Sequence, residues 1–276
     1  AGPGGWDCAA TELGLDPLGI EYDDAACQTR EANGLRTLQA DVATLDPADF
    51  APCDLLIASP PCQAWSMAGQ RKGEQDIARV HALTAAIAGR PTGQRRDSGP
   101  AAERTPRGMD QPSYTIRANG SGTAPAGVEW TLDEPDDWAD PRSRLVTEPI
   151  RWIKALHPTF VALEQVPPVL DYWHVVARYL REWGYAVWTG VLSSERYGVP
   201  QTRKRAILMA SLDGPVHPPR PTHQAYVPGE PARHEQTLEG ELLPWVSMAD
   251  ALGWADAGDA AMRSNFPGGK GGNVPR

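Results

Sequence analysis

Two spacings of apolar residues alternate along the first part of the chain. After a glycine turn at residues 1–5, apolar positions recur at helical spacing over 6–15. Residues 17–21 read as a short strand ending in Glu21. Residues 24–33 read as a helix closed by Gly34, and 37–41 as another short strand. Asp54-Leu55-Leu56-Ile57-Ala58 is a continuous apolar run, as a buried parallel strand requires. This strand–helix–strand rhythm predicts a doubly wound α/β domain. From 89 to 140 the periodicity fades and Pro, Gly, Ser and Arg dominate, which predicts an insertion or mobile loop. Regular spacing then returns as an amphipathic helix (145–156), a strand (158–163), a helix capped by Gly184 (169–183) and two strands (185–192 and 206–210). Beyond 213 the chain is rich in Pro, His and Gly, with one helix expected at 247–252. The predicted organisation is a catalytic cofactor-binding domain of 1–88 and 141–214, the 89–140 insertion, and a smaller, poorly regular region at 215–276.

The 276 residues are enough for a sizeable core, and no run of 18 apolar residues exists, which excludes a membrane-spanning helix. Residues 1–5 lack the basic and apolar regions of a signal peptide. Cys8, Cys27, Cys53 and Cys62 form no CxxC pair, so neither a disulfide framework nor a zinc site is expected, and a cytoplasmic setting follows. His217, His223 and His234 match no common zinc spacing, and no metal is expected. The net charge of −9 argues against a polyanionic partner only until its distribution is considered. Residues 1–60 hold 11 acids against Arg30 and Arg36, which accounts for the whole excess. Residues 65–110 carry 8 bases against 5 acids, and 195–220 carry 5 against 2. A basic face on an acidic molecule stays open.

Candidate chemistry begins at Gly2-Pro3-Gly4-Gly5, where a glycine turn opening a helix lets backbone N–H groups approach a ligand. On its own it is more often only a tight turn. Glu21 ends a strand where doubly wound folds hold ribose hydroxyls, and Asp41 ends the next strand, where an acid can accept from an adenine amino group. Each acid alone is ordinarily a solvated strand end. Together they suggest an adenosine cofactor, either nicotinamide dinucleotide or S-adenosylmethionine. Ser59-Pro60-Pro61-Cys62-Gln63 follows the buried strand, so it lies at the carboxyl edge of the sheet. Its rigid turn presents Cys62 as a nucleophile. Cys8, Cys27 and Cys53 read as small buried hydrophobes.

With this turn the chain resembles the DNA cytosine-5 methyltransferase family. Leu163-Glu164-Gln165-Val166-Pro167 is similar to that family's Glu-Asn-Val motif, and Gln201-Thr202-Arg203-Lys204-Arg205 to its Gln-x-Arg-x-Arg motif. The resemblance covers about residues 1–220. It implies a Rossmann-like, S-adenosylmethionine-dependent domain with a recognition lobe. The expected activity is methyl transfer to C5 of cytosine in double-stranded DNA. Cys62 would add to C6, Glu164 would serve N3 of the base, and Arg203 and Arg205 would hold the base oxygen and support Cys62 or a phosphate. Alternatives for these groups are a salt bridge for Glu164 and a solvated basic edge for the arginines. Gly2, Gly4, Gly5 and Trp6 would surround the methionine part of the cofactor, Glu21 the ribose, and Tyr22, Asp41 and Val42 the adenine. Pro60 and Leu145 would line the pocket. Gln63, Ser66, Arg71, Lys72, Gln165 and Gln201 would meet the DNA, the segment after Cys62 closing over a base flipped out of the duplex.

The chain departs from the family in four respects. It begins inside the glycine turn, without the family's first strand. Gln165 stands where Asn is usual. Cys62 and Glu164 are 102 residues apart, longer than expected, and Asp110–Arg117 looks like a Pro-x-x-Thr-Ile loop usually found near the C-terminal end. The late recognition motifs are missing, although Gly272-Asn273-Val274-Pro275 superficially resembles the last of them. The alternatives are a non-catalytic nucleic-acid-binding relative, a split subunit needing a complementing chain or terminal segments, and an RNA-directed member. The expected setting is bacterial or phage-encoded, associated with the nucleoid.

Overall fold

The computed structural model describes residues 1–66, 72–89, 138–238 and 240–253. The expectations for Arg71, for Asp110–Arg117, for Gly272–Pro275 and for nearly all of 89–140 lie outside these ranges.

Helix α1 (Gly5–Glu12) leads to strand β1 (Gly19–Glu21), helix α2 (Asp24–Ala32) and strand β2 (Thr37–Gln39). β1 and β2 pair in parallel, Gly19 opposite Thr37. The Asp23 side chain caps α2 by accepting from the Ala26 N–H at 2.8 Å. A four-stranded sheet follows in the order β3 (Leu55–Ala58), β4 (Phe160–Gln165), β6 (Lys204–Ser211), β5 (Ala186–Ser193). β3 and β4 are parallel, whereas β6 runs antiparallel to both its neighbours. The α/β class is as expected. The antiparallel strand is an addition, forced by the short link between β5 and β6: a parallel crossover needs a dozen residues or more.

Helices α3 (Gly73–Ala88), α4 (Glu148–Leu156) and α5 (Leu170–Glu182) supply the rest of the core. The sequence reading assigns no element to 74–88. The signal is weak because Ile77, Val80, Thr84 and Ile87 keep helical spacing with a threonine among them. α4 begins three residues later than expected. Pro149 has no N–H for a preceding turn, so the α-helix starts where Pro149 falls within its first turn, after a 3₁₀ segment over Pro141–Thr147. Hairpin β7 (Glu235–Thr237) and β8 (Gly240–Leu242) and helix α6 (Met248–Ala251) complete the described residues. Ser247 and Asp250 form a capping box at α6, as the expected helix there needs.

Strand β4 sorts its side chains by parity. Val161, Leu163 and Gln165 are buried, facing Ala210, Leu208 and Ala206 of β6, while Ala162 and Glu164 point to the other, half-covered face. The buried face packs on Val80, Ile150, Ile153, Tyr172, Trp173 and Leu180 from the three helices. Two of the polar groups in this core are paired across elements. Tyr172 bonds Thr84 at 2.8 Å, and the Trp173 indole donates to the Ala206 carbonyl at 3.3 Å.

Two buried charges brace the structure. Arg30, with no exposed surface, forms a double hydrogen bond to Asp7 (2.8 and 2.6 Å) and also donates to Thr37 Oγ1, the Arg36 carbonyl and the Gly2 carbonyl. It thereby joins α1, α2, β2 and the glycine turn. Asp76 on α3 accepts from the Ala139 and Asp140 N–H groups and from Ser143 Oγ, fixing the start of the 141–147 segment. Asp7→Ala would leave the Arg30 guanidinium buried without its counter-charge, and we expect a loss of about 3–5 kcal/mol in urea unfolding, against near neutrality for the exposed Asp16→Ala.

Candidate active site

The turn after β3 cannot hold itself. Pro60 and Pro61 remove two consecutive N–H donors. Gln165, only 1 % exposed, supplies the missing bonds from the end of β4. Its Nε2 donates to the Pro60 carbonyl (2.8 Å) and the Pro61 carbonyl (3.1 Å), while its Oε1 accepts from the Val166 N–H (2.6 Å). The side-chain amide is thereby used at both ends, and the backbone entering Cys62 is tied to the neighbouring strand. The Cys62 carbonyl then accepts from the Trp65 N–H at 3.0 Å, starting the 3₁₀ turn Gln63–Trp65. Trp65 is buried, and Gly73 at the start of α3 lies against it. A Cβ there would come within 2.9 Å of the indole. Cys62 itself is half-buried at the sheet edge.

Glu164 and Arg205 meet on the opposite face of β4. Glu164 stands opposite Ile207, so Arg205, two residues away on β6, is its diagonal neighbour. Arg205 Nε lies 2.5 Å from Glu164 Oε1, both side chains one-fifth exposed. The salt-bridge alternative and the orienting role are thus one contact. Glu164 Oε2 has no hydrogen-bond partner among the described residues. Arg203 is not brought in: β6 starts at Lys204, and Arg203 lies in the preceding turn with an exposed side chain. Its carbonyl accepts from the Ser194 N–H at 2.9 Å.

Arg142 is a neighbour that sequence reasoning did not reach. Its guanidinium is bonded to Asp140 through Nε and Nη2 (2.9 and 2.7 Å). Hydrogen bonding to Asp140 raises its pKa. Arg142 is fixed only because Asp76, 66 residues earlier, holds the Asp140 turn. Local spacing carries no trace of it.

The glycine turn and the ends of β1 and β2 form a second group. Gly4 adopts φ 110°, and a Cβ on it would reach within 2.2 Å of Leu35 Cδ1, so only glycine fits. Hypothetical Cβ atoms on Gly2 and Gly5 meet nothing within 4 Å, which leaves open space over the turn. Glu21 accepts from the N–H groups of Gly2 (2.5 Å), Tyr22 and Asp23 (2.8 Å each). Burial pushes its pKa upward, but these donors outweigh burial and bring it down to about 2. Asp41 accepts from the Ala43 N–H at 2.9 Å and caps the turn Val42–Thr44. Arg151 of α4 donates to the carbonyls of Val42 (2.8 Å) and Leu45 (3.0 Å), a second contact the sequence reading missed. Tyr22 and Trp6 keep exposed ring surface, and the Trp6 indole donates to Ser59 Oγ at 2.9 Å, linking this group to the Cys62 turn. Leu145 is half-buried within the 141–147 segment. Gln63, Lys72 and Gln201 are exposed, and Ser66 is half-buried. Of the other cysteines, Cys27 is buried and Cys53 half-buried, with thiols pushed up by burial, but Cys8 is exposed on α1, contrary to expectation. Its neighbours Trp6 and Gly5 are exposed as well, because that side of the short helix has nothing packed on it. Among the described residues no cluster of His, Cys, Asp or Glu is arranged to hold a metal, and no helix is long and apolar enough to cross a membrane.

The family model for C-5 cytosine-specific DNA methylase matches residues 1–88 and 134–239. The chain belongs to the C-5 cytosine-specific DNA methylase family. The type II methyltransferase M.AquIA of Picosynechococcus is 24% identical over 277 residues, covering 91% of this chain and 85% of its own length. M.DdeI of Desulfomicrobium norvegicum is 23% identical over 282 residues, covering 97% of this chain, and this chain spans 50% of it. M.SacI of Streptomyces achromogenes is 31% identical over 128 residues, 44% of this chain and 31% of its length. Among solved structures, the S. pombe Dnmt2 methyltransferase has TM-score 0.47 at 18% identity, covering 78% of this chain and 50% of its own. Apart from M.AquIA, the chain spans about half or less of these relatives. As a family member with parallel β-strand pairs and intervening helices, it carries the S-adenosylmethionine-dependent methyltransferase fold class.

Two outcomes test the site without an activity assay. Gln165→Leu keeps the volume but leaves the Val166 N–H and two proline carbonyls unpaired. We expect about 1–3 kcal/mol of destabilisation and faster reaction of Cys62 with a disulfide reagent, with Gln165→Asn milder on both. Glu21 has its folded pKa below the ordinary 4.5, so its stabilisation is complete above pH 4.5 and is lost as pH falls toward 2. Acid unfolding of Glu21→Gln should lack that portion of the pH dependence.

Proposed function

We propose that this chain transfers a methyl group from S-adenosylmethionine to C5 of cytosine in double-stranded DNA, through a transient bond between Cys62 and C6 of a base swung out of the helix. The observation that carries the reading is the Cys62 turn clamped by Gln165 beside the Glu164–Arg205 pair, all at one edge of one sheet. Bound to the open glycine turn, with Glu21 for its ribose, Asp41 and Val42 for its adenine edge and Trp6 and Tyr22 as aromatic walls, S-adenosylmethionine supplies an electrophilic methyl group. The donor set fits: an ionised carboxylate at the end of β1 and uncrowded space above Gly2 and Gly5.

Cytosine C5 is a poor nucleophile. The Cys62 thiolate adds to C6, breaking the C5–C6 double bond and passing an electron pair towards C5. That addition builds negative charge at N3 and O2. Glu164 lies at the matching face to serve N3, and Arg205, which fixes Glu164, places a guanidinium beside it for the base oxygen. C5 then takes the methyl group. Loss of the C5 proton to a base and β-elimination return the electron pair to sulfur and free Cys62. The bacterial type II relatives favour a cytoplasmic, modification-type role acting on duplex DNA.

Labelled methyl transfer to duplex DNA is expected from the chain and is lost in Cys62→Ser, a fall of at least several orders of magnitude. Duplexes carrying 5-fluorocytosine should trap a covalent adduct seen as a denaturation-resistant gel shift, because fluorine cannot leave as the C5 proton does. A protein that binds cofactor and DNA but never forms the adduct overturns the reading, and preferential labelling of RNA in competition reassigns the substrate.

A further inference from the structure

Strand register places a third group of residues at the same edge of the sheet as the catalytic turn. β3 ends at Ala58 and its parallel neighbour β4 ends at Gln165. β6, antiparallel to β4, starts there at Lys204, and β5 ends there with Ser193 opposite Lys204. The chain leaves β5 into the 3₁₀ turn Ser194–Tyr197, whose first residue is bonded to Arg203 in the Gln-x-Arg-x-Arg segment. With neighbouring strands about 5 Å apart, the end of β5 lies roughly 15 Å across from the end of β3.

A cavity of about 340 Å³ opens beside this turn. It is lined by Arg196, Arg220, Pro221, Leu238, Glu241 and Leu242, among others. Arg196 Nε is buried with no hydrogen-bond partner. Among the described residues, neither Arg196 nor Arg220 forms a side-chain hydrogen bond or an ion pair. A buried, unsatisfied guanidinium N–H is unfavourable by the desolvation of a charged donor, so it is normally found only where a partner completes it. The cavity also contains one carboxylate, Glu241, whose Oε1 faces His234 Nδ1 at 2.7 Å on its exposed side. Glu195, buried next to Arg196, does not line the cavity and makes no salt bridge to it among the described residues. Two guanidinium groups against one carboxylate leave the cavity net positive.

The frame around it is fixed. The Arg196 carbonyl accepts from both Thr222 N–H (2.9 Å) and His223 N–H (3.0 Å), and Tyr197 donates its hydroxyl proton to the Pro219 carbonyl at 3.1 Å. These bonds set the segment carrying Arg220 against the turn carrying Arg196. Thr222 and Gln224 in turn bond Leu243, the residue that follows β8. The two arginines therefore project from a braced framework into one space.

We propose that Arg196 and Arg220 form an anion site for a backbone phosphate of the DNA substrate, a few nucleotides from the base that enters the Cys62 site. This rests on the DNA-methylation reading above. Guanidinium forks match phosphate oxygens, and the cavity lies where a duplex crossing the catalytic edge would pass. Such a contact positions the duplex and carries no sequence information. The acidic first fifth of the chain lies on other elements, so it does not oppose it.

The test is the salt dependence of binding a short fluorescein-labelled duplex, measured by anisotropy with the full chain. Removing one phosphate contact should lower the slope of log affinity against log salt by about 1, and removing both by about 2. Arg196→Ala and Arg220→Ala are expected to do this equally for every duplex sequence, with cofactor affinity and thermal midpoint unchanged. Arg36→Ala, exposed, paired with Asp16 and absent from the cavity lining, should leave the slope alone. Normal wild-type binding with unchanged slopes in both arginine variants overturns this inference while leaving the methylation reading intact. A wild-type chain that binds no DNA and forms no 5-fluorocytosine adduct overturns both.

Discussion

The site depends on the pleat of one strand. Glu164 and Gln165 are adjacent in sequence, and a strand must send adjacent side chains to opposite faces. Gln165 is directed into the core face, where its amide satisfies the carbonyls of the two prolines. Glu164 is directed to the open face, where antiparallel β6 delivers Arg205 on the diagonal. A slip of one residue would exchange these roles, burying a carboxylate under the Cys62 turn and exposing the amide that holds it. The alternation Val161, Leu163, Gln165 against α3, α4 and α5 fixes the register, so ordinary core packing determines the geometry of the chemistry. The extra methylene of Gln165 relative to asparagine is accommodated without loss: both proline carbonyls are reached, and the amide oxygen still returns to its own backbone at Val166.

Charge placement follows a second rule, that a buried ion persists only with its partner and its hydrogen bonds complete. Arg30 meets this with Asp7 and three further acceptors, and it spans the elements that frame the glycine turn. Glu21 meets it with backbone donors, which explains why its carboxylate stays ionised despite partial burial. Asp76 meets it with two N–H groups and a serine hydroxyl, and so sets the position of the turn that carries Arg142. In each case a charged side chain organises polar backbone rather than adding an isolated salt bridge, which at a surface contributes little.

What could be read from the residues was whatever is encoded locally. The Pro-Pro-Cys turn after an apolar run, Glu21 ending a short strand and the Gly184 helix cap each rest on a few neighbouring residues, and each lies where expected, whereas the second strand stops at Gln39, two residues before Asp41. The antiparallel β6 was not legible, because direction is decided by the length of the β5–β6 link rather than by the apolar pattern. Helix α3 was obscured by a threonine at a core position, Thr84, whose hydroxyl is satisfied by Tyr172 from another helix. β7 and β8 are exposed and carry no apolar period at all. Contacts between residues far apart in sequence were the hardest: Asp76 on the Asp140 turn, Arg151 on the Val42 loop and Gln165 on the proline carbonyls. The same distance effect separates the two arginines of the Gln-x-Arg-x-Arg segment. Their spacing allows a shared face, yet the strand begins between them, so only Arg205 inherits strand geometry.

The acidic net charge is reconciled with a polyanionic partner by this same separation. A duplex reads charge over a Debye length of about 8 Å at physiological salt, so the sum over the molecule matters less than the sign at the contacting edge. The edge formed by the ends of β3, β4 and β5 and the start of β6 bears Arg196, Arg203, Lys204 and Arg205 against Glu164 and Glu195, whereas the acids of the first 60 residues belong to the elements around the glycine turn. That acidic region suits a cationic sulfonium ligand as well as it repels phosphate. On the proposed function, one chain can therefore present negative potential to its cofactor and positive potential to its substrate, each confined to a different part of the fold.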